Sequence, residues 1–293
     1  MIKNLCEISS PSGGEEKIKE FIISELEEFT DIFFEDSFGN LIFIKKGSGD
    51  RICIECGIDE PFLMVSESDD ENLRFSAPPH IKAEDFSDKD ACFEDGTSVL
   101  IESEKEDNIK VANLFASCER QRTVGEYVTL LPYFKKGEKT FSAFNIKYKI
   151  PVFVLINVIK EIEKNSCEAY FVFSTQKCLA NRGTRALMQS GIEFDKAISV
   201  SCIEEKEDGV LVMAKEKSCV LTPEIRKEIV SLSKDKEISV KIGFSEENFG
   251  MKTYLTEGKG ALCGLICIPC IENSVNTDDV KDAENLIKAI IKK

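Results

Sequence analysis

The sequence predicts an α/β fold interrupted by a small β-domain, and three observations predict it. Apolar residues recur at helical spacing soon after the N-terminus, and a central segment carries many charges and short apolar runs but no long helical pattern. From residue 140 onward, helix and strand patterns alternate, which is typical of an α/β sheet with crossover helices. We therefore predict one α/β domain from residues 1–66 and 140–293, and an inserted β-domain from residues 67–139.

The N-terminal region predicts a helix followed by strands. Ser12 and Glu15 have capping-box spacing, and the apolar pattern behind them predicts a helix over residues 15–29. Short β-rich runs separated by Gly, Asp and Pro then predict paired strands. These runs cover residues 33–34, 41–44, 51–56 and 62–65.

The remaining elements follow from the same patterns. Short apolar runs at 99–101, 111–115 and 127–131 are the expected strands of the inserted β-domain. Residues 150–162 predict a helix with Pro151 in its first turn, and residues 168–175 predict a strand. A last helix is predicted to begin near Thr277, where Asp278 and Asp279 suit the helix dipole.

Composition excludes several classes of partner. The chain of 293 residues is 42% hydrophobic, enough for a large core, and its net charge of −15 disfavours nucleic acids and anionic membranes. The N-terminus lacks the apolar core of a signal peptide, and no apolar run approaches the ~20 residues of a membrane span. We therefore expect a cytoplasmic protein with no membrane partner, in which the twelve cysteines are buried free thiols.

Several motifs resemble one enzyme family. The motifs are Ile8-Ser9-Ser10-Pro11-Ser12-Gly13, Phe38-Gly39-Asn40-Leu41, Ile58-Asp59-Glu60 with Phe62-Leu63-Met64-Val65, Gln176 with Arg182-Gly183, and Val124-Gly125-Glu126-Tyr127-Val128. The first four, in this order along the chain, resemble the glutamyl/tetrahedral (TET) aminopeptidases, also called endoglucanase-M-like. The last resembles the strand by which that family's small β-domain returns to the catalytic domain. The resemblance implies an aminopeptidase-like mixed sheet flanked by helices, with a small inserted β-barrel. It also implies two zinc or cobalt ions that activate a water molecule.

The resemblance further implies which positions would hold the metal ions. The family's His-x-Asp-Glu motif aligns with residues 57–60, so Gly57 stands at the histidine ligand while the supporting Asp59 is retained. The metal-bridging aspartate aligns with Asn145, which keeps the shape of that side chain and loses its charge. Two ligand positions are thus degenerate.

The other ligand positions are also changed. The family's Gln-Glu-Glu motif aligns with Gln176-Lys177-Cys178, so Lys177 stands at the general base and Cys178 at a ligand. A protonated lysine cannot accept a proton from a metal-bound water. A fourth ligand, an aspartate, aligns with Ser201, and the closing histidine aligns with Asn273 across a one-residue deletion.

The histidine count also argues against the family's metal site, and it does so without an alignment. The chain has one histidine, His80, and a site that uses two imidazoles cannot be built from it. His80 follows two prolines in the predicted β-domain and is interpreted as an exposed loop residue without a catalytic or metal-binding role.

Cysteine chemistry is the alternative route to a metal site. Cys53 and Cys56 have Cys-x-x-Cys spacing, but residues i and i+3 of a strand face opposite sides of the sheet. Cys178 is the better candidate, because it replaces a ligand and because Cys56, Cys202 and Cys270 lie beside other former ligand positions. The ordinary interpretation of all of them is buried cysteine.

Since strand ends meet in one crevice of an α/β sheet, the changed positions are expected to converge. The predicted pocket consists of Asp59, Lys177, Cys178, Asn145, Ser201 and Asn273, with Gly57 beside them. Within it, Lys177 is either a solvated lysine or an ammonium that enters the old metal cavity and pairs with Asp59. Arg182-Gly183 is assigned to the turn between strand and helix.

These observations favour a catalytically degenerate relative, a pseudoenzyme without a cofactor. Its expected role is to bind a peptide or small molecule, or to form an oligomer with itself or with an active paralogue. The alternative is a residual or altered metallo-hydrolase that uses a non-standard Cys/Asp site. A third hypothesis is a purely structural subunit of a shell.

Overall fold

The fold was described from a computed structural model, which covers residues 1–69, 72–78, 81–104, 110–163, 165–206 and 208–293. The described residues form α1 Ile2–Glu7, α2 Glu16–Leu26, α3 Ile146–Glu161, α4 Arg182–Gln189, α5 Pro223–Asp235, α6 Met251–Thr256 and α7 Thr277–Lys292. The strands are β1 Ile32–Glu35, β2 Leu41–Lys45, β3 Arg51–Gly57, β4 Leu63–Ser68, β5 Asn72–Ser76, β6 Lys89–Phe93, β7 Ser98–Ser103, β8 Leu114–Ser117, β9 Tyr127–Leu130, β10 Lys135–Lys136, β11 Thr140–Ser142, β12 Glu168–Ser174, β13 Lys196–Glu204, β14 Val210–Glu216, β15 Cys219–Val220, β16 Val240–Phe244, β17 Leu262–Ile271 and β18 Ser274–Asn276.

A large mixed sheet forms the main body. Its strand order is β1-β2-β12-β3-β13-β17-β18-β11-β10, and β14 joins β17 and carries β15 and β16. The central strands β12, β3, β13 and β17 are parallel, whereas β1 and β2 are antiparallel. One core layer packs against α1, α2, α3, α5 and α7, and a second packs against α4 and α6. The predicted α/β fold is confirmed.

The inserted unit is a closed barrel of six antiparallel strands, ordered β4-β5-β8-β7-β6-β9. Its strands run from Leu63 to Leu130 and enclose their own apolar cluster, which includes Phe75 and Phe86. β10 and β11 lie outside the barrel and pair in the large sheet. The domain boundaries at residues 67 and 139 remain a prediction. The first strand of the barrel begins before residue 67, at Leu63, and its last strand ends before residue 139, at Leu130.

Two helix predictions need correction. The predicted capping box is wrong, because the Ser12 hydroxyl donates to Asp59 (2.5 Å), and Glu15 is itself the residue that precedes α2. The central helix begins at Ile146 rather than at residue 150, so Pro151 lies inside it. A proline there cannot donate to the carbonyl one turn earlier, and the helix is held by packing on all sides instead.

The predicted last helix and the predicted free thiols are supported by the structure. Asn276 caps α7 by accepting a hydrogen bond from the amide of Asp278 (2.9 Å). All twelve cysteines are free and nine are buried, as expected of thiols. His80 lies outside the described residues. None of the helices in the described ranges combines the length and apolar character needed to cross a bilayer.

Candidate functional site

The candidate site lies where two parallel strands end beside a third. β3 ends at Gly57 and β12 ends at Ser174, and the register places these two residues side by side. On the other side of β3, Glu55 pairs with Ser199 of β13. Since the strands are parallel, the segments that follow them meet at one edge of the sheet, where α/β folds bind ligands.

A buried lysine–glutamate pair occupies this edge. The Lys177 ammonium contacts both carboxylate oxygens of Glu55, at 3.0 and 2.8 Å, and donates to the Ser199 hydroxyl (3.0 Å). The hydroxyls of Ser199 (2.6 Å) and Ser174 also donate to Glu55. We call Lys177, Glu55, Ser174 and Ser199 the Lys177 cluster. Its carboxylate is 1% exposed, so the charge is compensated within the protein.

Gly57 provides the space for this lysine. A Cβ atom at position 57 would lie 2.6 Å from Lys177 Cδ and 3.0 Å from Lys177 Cβ, closer than side-chain atoms approach one another. The lysine stem therefore crosses the face of the strand where a side chain at position 57 would begin. Glycine at 57 and the inward-pointing lysine at 177 depend on each other.

Asp59 holds the backbone of the loop that follows β12. Its carboxylate accepts hydrogen bonds from the backbone amides of Lys177 and Cys178, both at 2.8 Å. The predicted ion pair between the Lys177 ammonium and Asp59 is wrong, because the ammonium turns away to Glu55. With Ser12 also donating, the Asp59 oxygens are already satisfied by neutral donors.

The same loop has a constrained backbone. Gln176, Ala180 and Asn181 all have positive φ angles, between 49° and 59°. Two carboxylates hold the loop, since Glu15 accepts from the amide of Gln176 (2.9 Å) and Asp59 accepts from the next two amides. Backbone strain of this kind persists where the surroundings fix it, and it is concentrated at functional positions.

Gly183 follows this loop in the first turn of α4, where close packing requires glycine. An added Cβ would lie 2.3 Å from the Thr175 carbonyl oxygen and 2.4 Å from the Asn40 amide oxygen. Arg182-Gly183 therefore serves the turn from strand to helix, as the sequence predicted.

Cys178 is a protonated thiol. Burial raises its pKa well above the ordinary value of 9.0, and the nearby Asp59 carboxylate raises the pKa further. Its sulfur lies 3.9 Å from the Asp59 carbonyl oxygen. A soft metal ion is bound by the thiolate form, which this environment opposes.

A second lysine–glutamate pair lies beside the first. The Lys149 ammonium lies 3.0 Å from Glu60 and 2.5 Å from the Ser10 hydroxyl. The Asn145 amide donates to Glu60 (2.9 Å), and the backbone amide of Ser10 donates to the other carboxylate oxygen (3.1 Å). We call Lys149, Glu60, Ser10 and Asn145 the Lys149 cluster. Lys149 is completely buried in α3.

Asn145 is fixed as an amide in this cluster. Its nitrogen donates both to Glu60 and to the carbonyl of Cys6 (3.1 Å), and an aspartate would have no hydrogen to offer either acceptor. An ionised aspartate would also place a second negative charge against Glu60. The Asn145 oxygen is buried and has no hydrogen-bond partner among the described residues.

Asn145 and Asn273 line one small pocket between the barrel and the main domain. The pocket measures about 130 Å³, and Glu60, Tyr148 and Cys270 contribute to its wall. Asn273 lies in the turn between β17 and β18 with φ 61°, and its carbonyl accepts from the amide of Ala143 (3.1 Å). This positive φ is a conformation that asparagine tolerates.

The predicted site residues therefore fall into separate groups. Gly57, Asp59, Lys177 and Cys178 meet at the ends of β3 and β12, while Asn145 and Asn273 share the pocket. Ser201 lies on β13 opposite Cys267 and forms no hydrogen bond with either cluster within the described ranges. Whether these groups act as one functional site stays a prediction.

The chain resembles known proteins over most of its length. A family model, M42 glutamyl aminopeptidase, matches residues 108–288. The chain belongs to this family. A relative from Acetivibrio thermocellus, described as "Putative aminopeptidase", is 28% identical over 320 residues, covering 99% of this chain and 96% of that protein.

Solved structures share the M42 fold seen here. Aminopeptidase APDkam598 from the archaeon Desulfurococcus kamchatkensis has a TM-score of 0.92 at 19% identity, with 100% of this chain and 93% of that chain covered. The TET1 peptidase of Pyrococcus horikoshii has a TM-score of 0.88 at 19% identity, with 100% and 98% covered. Its structure is described as able to assemble into a tetrahedron or a large octahedral shell.

The donor set of this M42 chain does not fit the two-metal site that the family resemblance implies. The described ranges contain no group of three or more His, Cys, Asp or Glu residues able to hold a metal ion. Two of the buried carboxylates here, Glu55 and Glu60, each contact a lysine ammonium, and the third, Asp59, accepts hydrogen bonds from two backbone amides. A dinuclear site needs several free carboxylates to neutralise its ions.

Sequence reasoning missed the residues that fill the site. Glu55 and Ser199 lie inside apolar strands, and Lys149 lies inside an apolar helix. Charged residues in such runs are rarely buried without a partner of opposite sign. That rule predicts that each has a partner, but the choice of partner depends on which elements meet in three dimensions.

The Cys53 and Cys56 interpretation agrees with the structure. Cys53 belongs to the core layer beneath α4 and α6, and Cys56 belongs to the opposite layer. The pair therefore faces both sides of the sheet and cannot chelate one ion. Cys202 and Cys270 are buried in the same layer as Cys56.

Proposed function

We propose that this chain is a non-hydrolytic M42 family member, in which Lys177 occupies the position of the metal centre. The observation that carries the proposal is the Lys177 stem crossing the bare face of Gly57 to reach buried Glu55. An ammonium ion at this place repels a metal cation and takes up the carboxylate nearest to it.

The remaining positions support the same proposal. The Asp59 oxygens accept from a hydroxyl and two backbone amides, and the Asn145 amide nitrogen is committed to Glu60 and Cys6. None of these groups is left free as an anionic ligand. The Cys/Asp metal site of the alternative hypothesis has little support, because both Asp59 oxygens already accept hydrogen bonds from backbone amides.

The role that follows is binding or assembly. The pocket of about 130 Å³ is lined by polar residues that include Glu60, Asn145 and Asn273, a place for a small polar ligand. Assembly with a further copy or with an active paralogue agrees with the shells described for the TET1 peptidase of Pyrococcus horikoshii.

The test is metal analysis of protein purified without chelator, combined with an assay on aminoacyl chromogenic substrates. We expect neither stoichiometric zinc, cobalt or manganese nor turnover. Bound metal together with turnover that a chelator abolishes would overturn the proposal.

The matched variant is Lys177→Met, which removes the ammonium without supplying a ligand. We expect it to remain free of metal, because the neighbouring positions still lack a ligand set. An active M42 aminopeptidase assayed in parallel shows that the substrates and metal additions are adequate.

A further inference from the structure

Three of the twelve cysteines are partly exposed, and the other nine are buried. The three are Cys118, Cys178 and Cys219. A cysteine reacts with an oxidant as its thiolate, which a nearby cation or hydrogen-bond donor favours and a nearby carboxylate opposes. The groups around each of the three sulfur atoms therefore determine which of them reacts.

Two of the three lie against carboxylates. Burial and then the charge of Asp59 raise the pKa of the Cys178 thiol well above its ordinary value of 9.0. The Cys219 sulfur lies 3.4 Å from a carboxylate oxygen of Glu216, and burial together with the Glu216 charge raises the pKa of this thiol to about 12. At neutral pH both side chains stay protonated, the form that reacts poorly with oxidants.

Cys118 lies beside a guanidinium instead. It directly follows β8 in the chain and packs against the apolar core of the barrel. Burial lowers the pKa of Arg122, but hydrogen bonds to Asp95, Cys118 and Glu126 outweigh burial, so the pKa of Arg122 is raised. The Cys118 sulfur is therefore one of three acceptors around this guanidinium.

The guanidinium of Arg122 is held in a fixed position. Its side chain is 3% exposed, and its central carbon lies 3.9 Å from the centre of the Phe93 ring. Nη1 donates to Asp95 and to Glu126, both at 3.1 Å, and Nη2 donates to the other Asp95 oxygen (3.4 Å). Since these two carboxylates balance the charge of Arg122, what it can still offer is a hydrogen-bond donor.

One donor of this guanidinium is unused. The Arg122 Nε atom is buried and has no hydrogen-bond partner among the described residues. A thiol sulfur is a weak acceptor, whereas an oxygen atom bonded to that sulfur is a strong one. Hydrogen bonds from a guanidinium are charge-assisted and stronger than neutral ones. Oxidation of Cys118 would supply the acceptor that this donor lacks.

We propose that Cys118 is an oxidation site for small hydroperoxides, and that Arg122 stabilises the sulfenic acid that forms. The Cys118 thiolate attacks the hydroxyl oxygen of the hydroperoxide, so a sulfur–oxygen bond forms while the oxygen–oxygen bond breaks. The sulfur loses two electrons, and the leaving alkoxide or hydroxide takes a proton from water. The new oxygen on sulfur accepts a hydrogen bond from the guanidinium.

The test is to treat the reduced full chain with hydrogen peroxide in the presence of dimedone, which forms a covalent adduct with sulfenic acids. Peptide mass spectrometry locates the adducts and follows them over time. We expect labelling at Cys118 to be about tenfold faster than at Cys178 and Cys219, because these two lie against carboxylates. Cys118→Ser should remove its adduct and leave the labelling of the other two unchanged.

Arg122→Lys tests the guanidinium. Lysine keeps the positive charge at this position but has neither the Nε–H nor the planar fork of donors. Labelling of Cys118 should become about tenfold slower, which is the effect of losing one charge-assisted hydrogen bond. Circular dichroism checks that the variant is folded.

A displaced thiol separates the effect of the guanidinium from that of exposure. Ser117 is the exposed last residue of β8. In the double variant Ser117→Cys/Cys118→Ser the thiol is more exposed but points to the other side of the chain, away from Arg122. We expect its labelling to be about tenfold slower than that of Cys118 in the wild-type chain. This comparison leaves Arg122 intact, so it does not depend on whether Arg122→Lys folds.

Three results would overturn the proposal. They are a wild-type chain without an adduct at Cys118, labelling of Cys178 or Cys219 as fast as that of Cys118, and undiminished labelling in folded Arg122→Lys or at the displaced thiol. The site uses no residue of either lysine cluster, and the test measures neither metal content nor peptidase turnover. Its failure is therefore distinguishable from failure of the proposed function.

Discussion

The Lys149 cluster and the Lys177 cluster each place a lysine ammonium against a buried glutamate, but water reaches only one of them. The side chain of Lys149 is 0% exposed and lies on a long helix, whereas that of Lys177 is 14% exposed and lies on a loop. Around Lys177 the backbone has positive φ angles, and Gly57 leaves the space that the lysine fills.

This difference in exposure distinguishes an ion pair that stabilises the fold from an ion pair at a candidate ligand site. An ion pair enclosed between a helix and a loop contributes to the specificity of packing, and removing one partner exposes the full cost of the other buried charge. A pair on a constrained loop at the ends of parallel strands lies where α/β folds bind ligands. Similar residues thus have different expected consequences when they are changed.

The largest effect is expected for Lys149→Met. Glu60 would remain buried without its ammonium, and the free energy of unfolding should fall by about 3–5 kcal/mol. Urea denaturation measures this change. The double variant Lys149→Met/Glu60→Gln should recover part of the loss, since the glutamine oxygen still accepts a hydrogen bond without carrying charge. A loss below about 1 kcal/mol would contradict enclosure of this pair.

A smaller effect is expected for Lys177→Met. Two serine hydroxyls still donate to Glu55, and the partly exposed edge admits water, so the loss should be about 1–3 kcal/mol. The same denaturation experiment provides the comparison. If Lys177→Met costs as much as Lys149→Met, the two clusters do not differ in the way their exposure indicates.

Gly57→Ala tests the dependence between glycine and lysine. The new methyl group would collide with the Lys177 stem and displace the ammonium from Glu55, costing about 1 kcal/mol or more. In a Lys177→Ala background the same change should cost much less, because the stem is absent. Equal costs in the two backgrounds, measured as a double-mutant cycle, would show that the lysine does not require glycine at 57.

The smallest effect concerns a buried glutamate that has an amide as its hydrogen-bond donor. Glu284 accepts from Asn157 (2.6 Å), and burial raises its pKa above the ordinary value of 4.5, which the Asn157 hydrogen bond only partly offsets. A carboxyl whose folded pKa is raised stabilises the protein below its unfolded pKa and loses that contribution as pH rises through the folded pKa.

Glu284→Gln should therefore stabilise the protein by a few tenths of a kcal/mol or more at pH 8 and have a smaller effect near pH 4. Denaturation at the two pH values measures the difference. A stabilisation that is the same at both would show that the ionised carboxyl carries no burial cost. Glu55 and Glu60 have lysine partners, whereas Glu284 has an amide. Comparing them therefore shows how much a lysine partner contributes to the free energy of unfolding.

The sequence alone determined the α/β fold, the inserted β-unit, the free thiols and the family resemblance. These features depend on patterns along the chain, namely hydrophobic periodicity, turn residues and short motifs, which are local. Composition also excludes a site with two histidine ligands from this one chain, since it has a single histidine. The error over Pro151 has a tertiary cause instead, because a central helix packed on all sides tolerates a proline that an exposed helix would place in its first turn.

The tertiary structure decided which charges meet. The sequence offered two alternatives for Lys177, a solvated lysine or a partner of Asp59. The ammonium turns instead to Glu55, because Gly57 leaves a path across β3 and because backbone amides already satisfy Asp59. The partnership of Lys149 with Glu60 joins residues 89 positions apart on a helix and a loop. A buried charge requires a partner, but its identity depends on the register of three strands and the position of a helix. Those relations exist only in the folded chain.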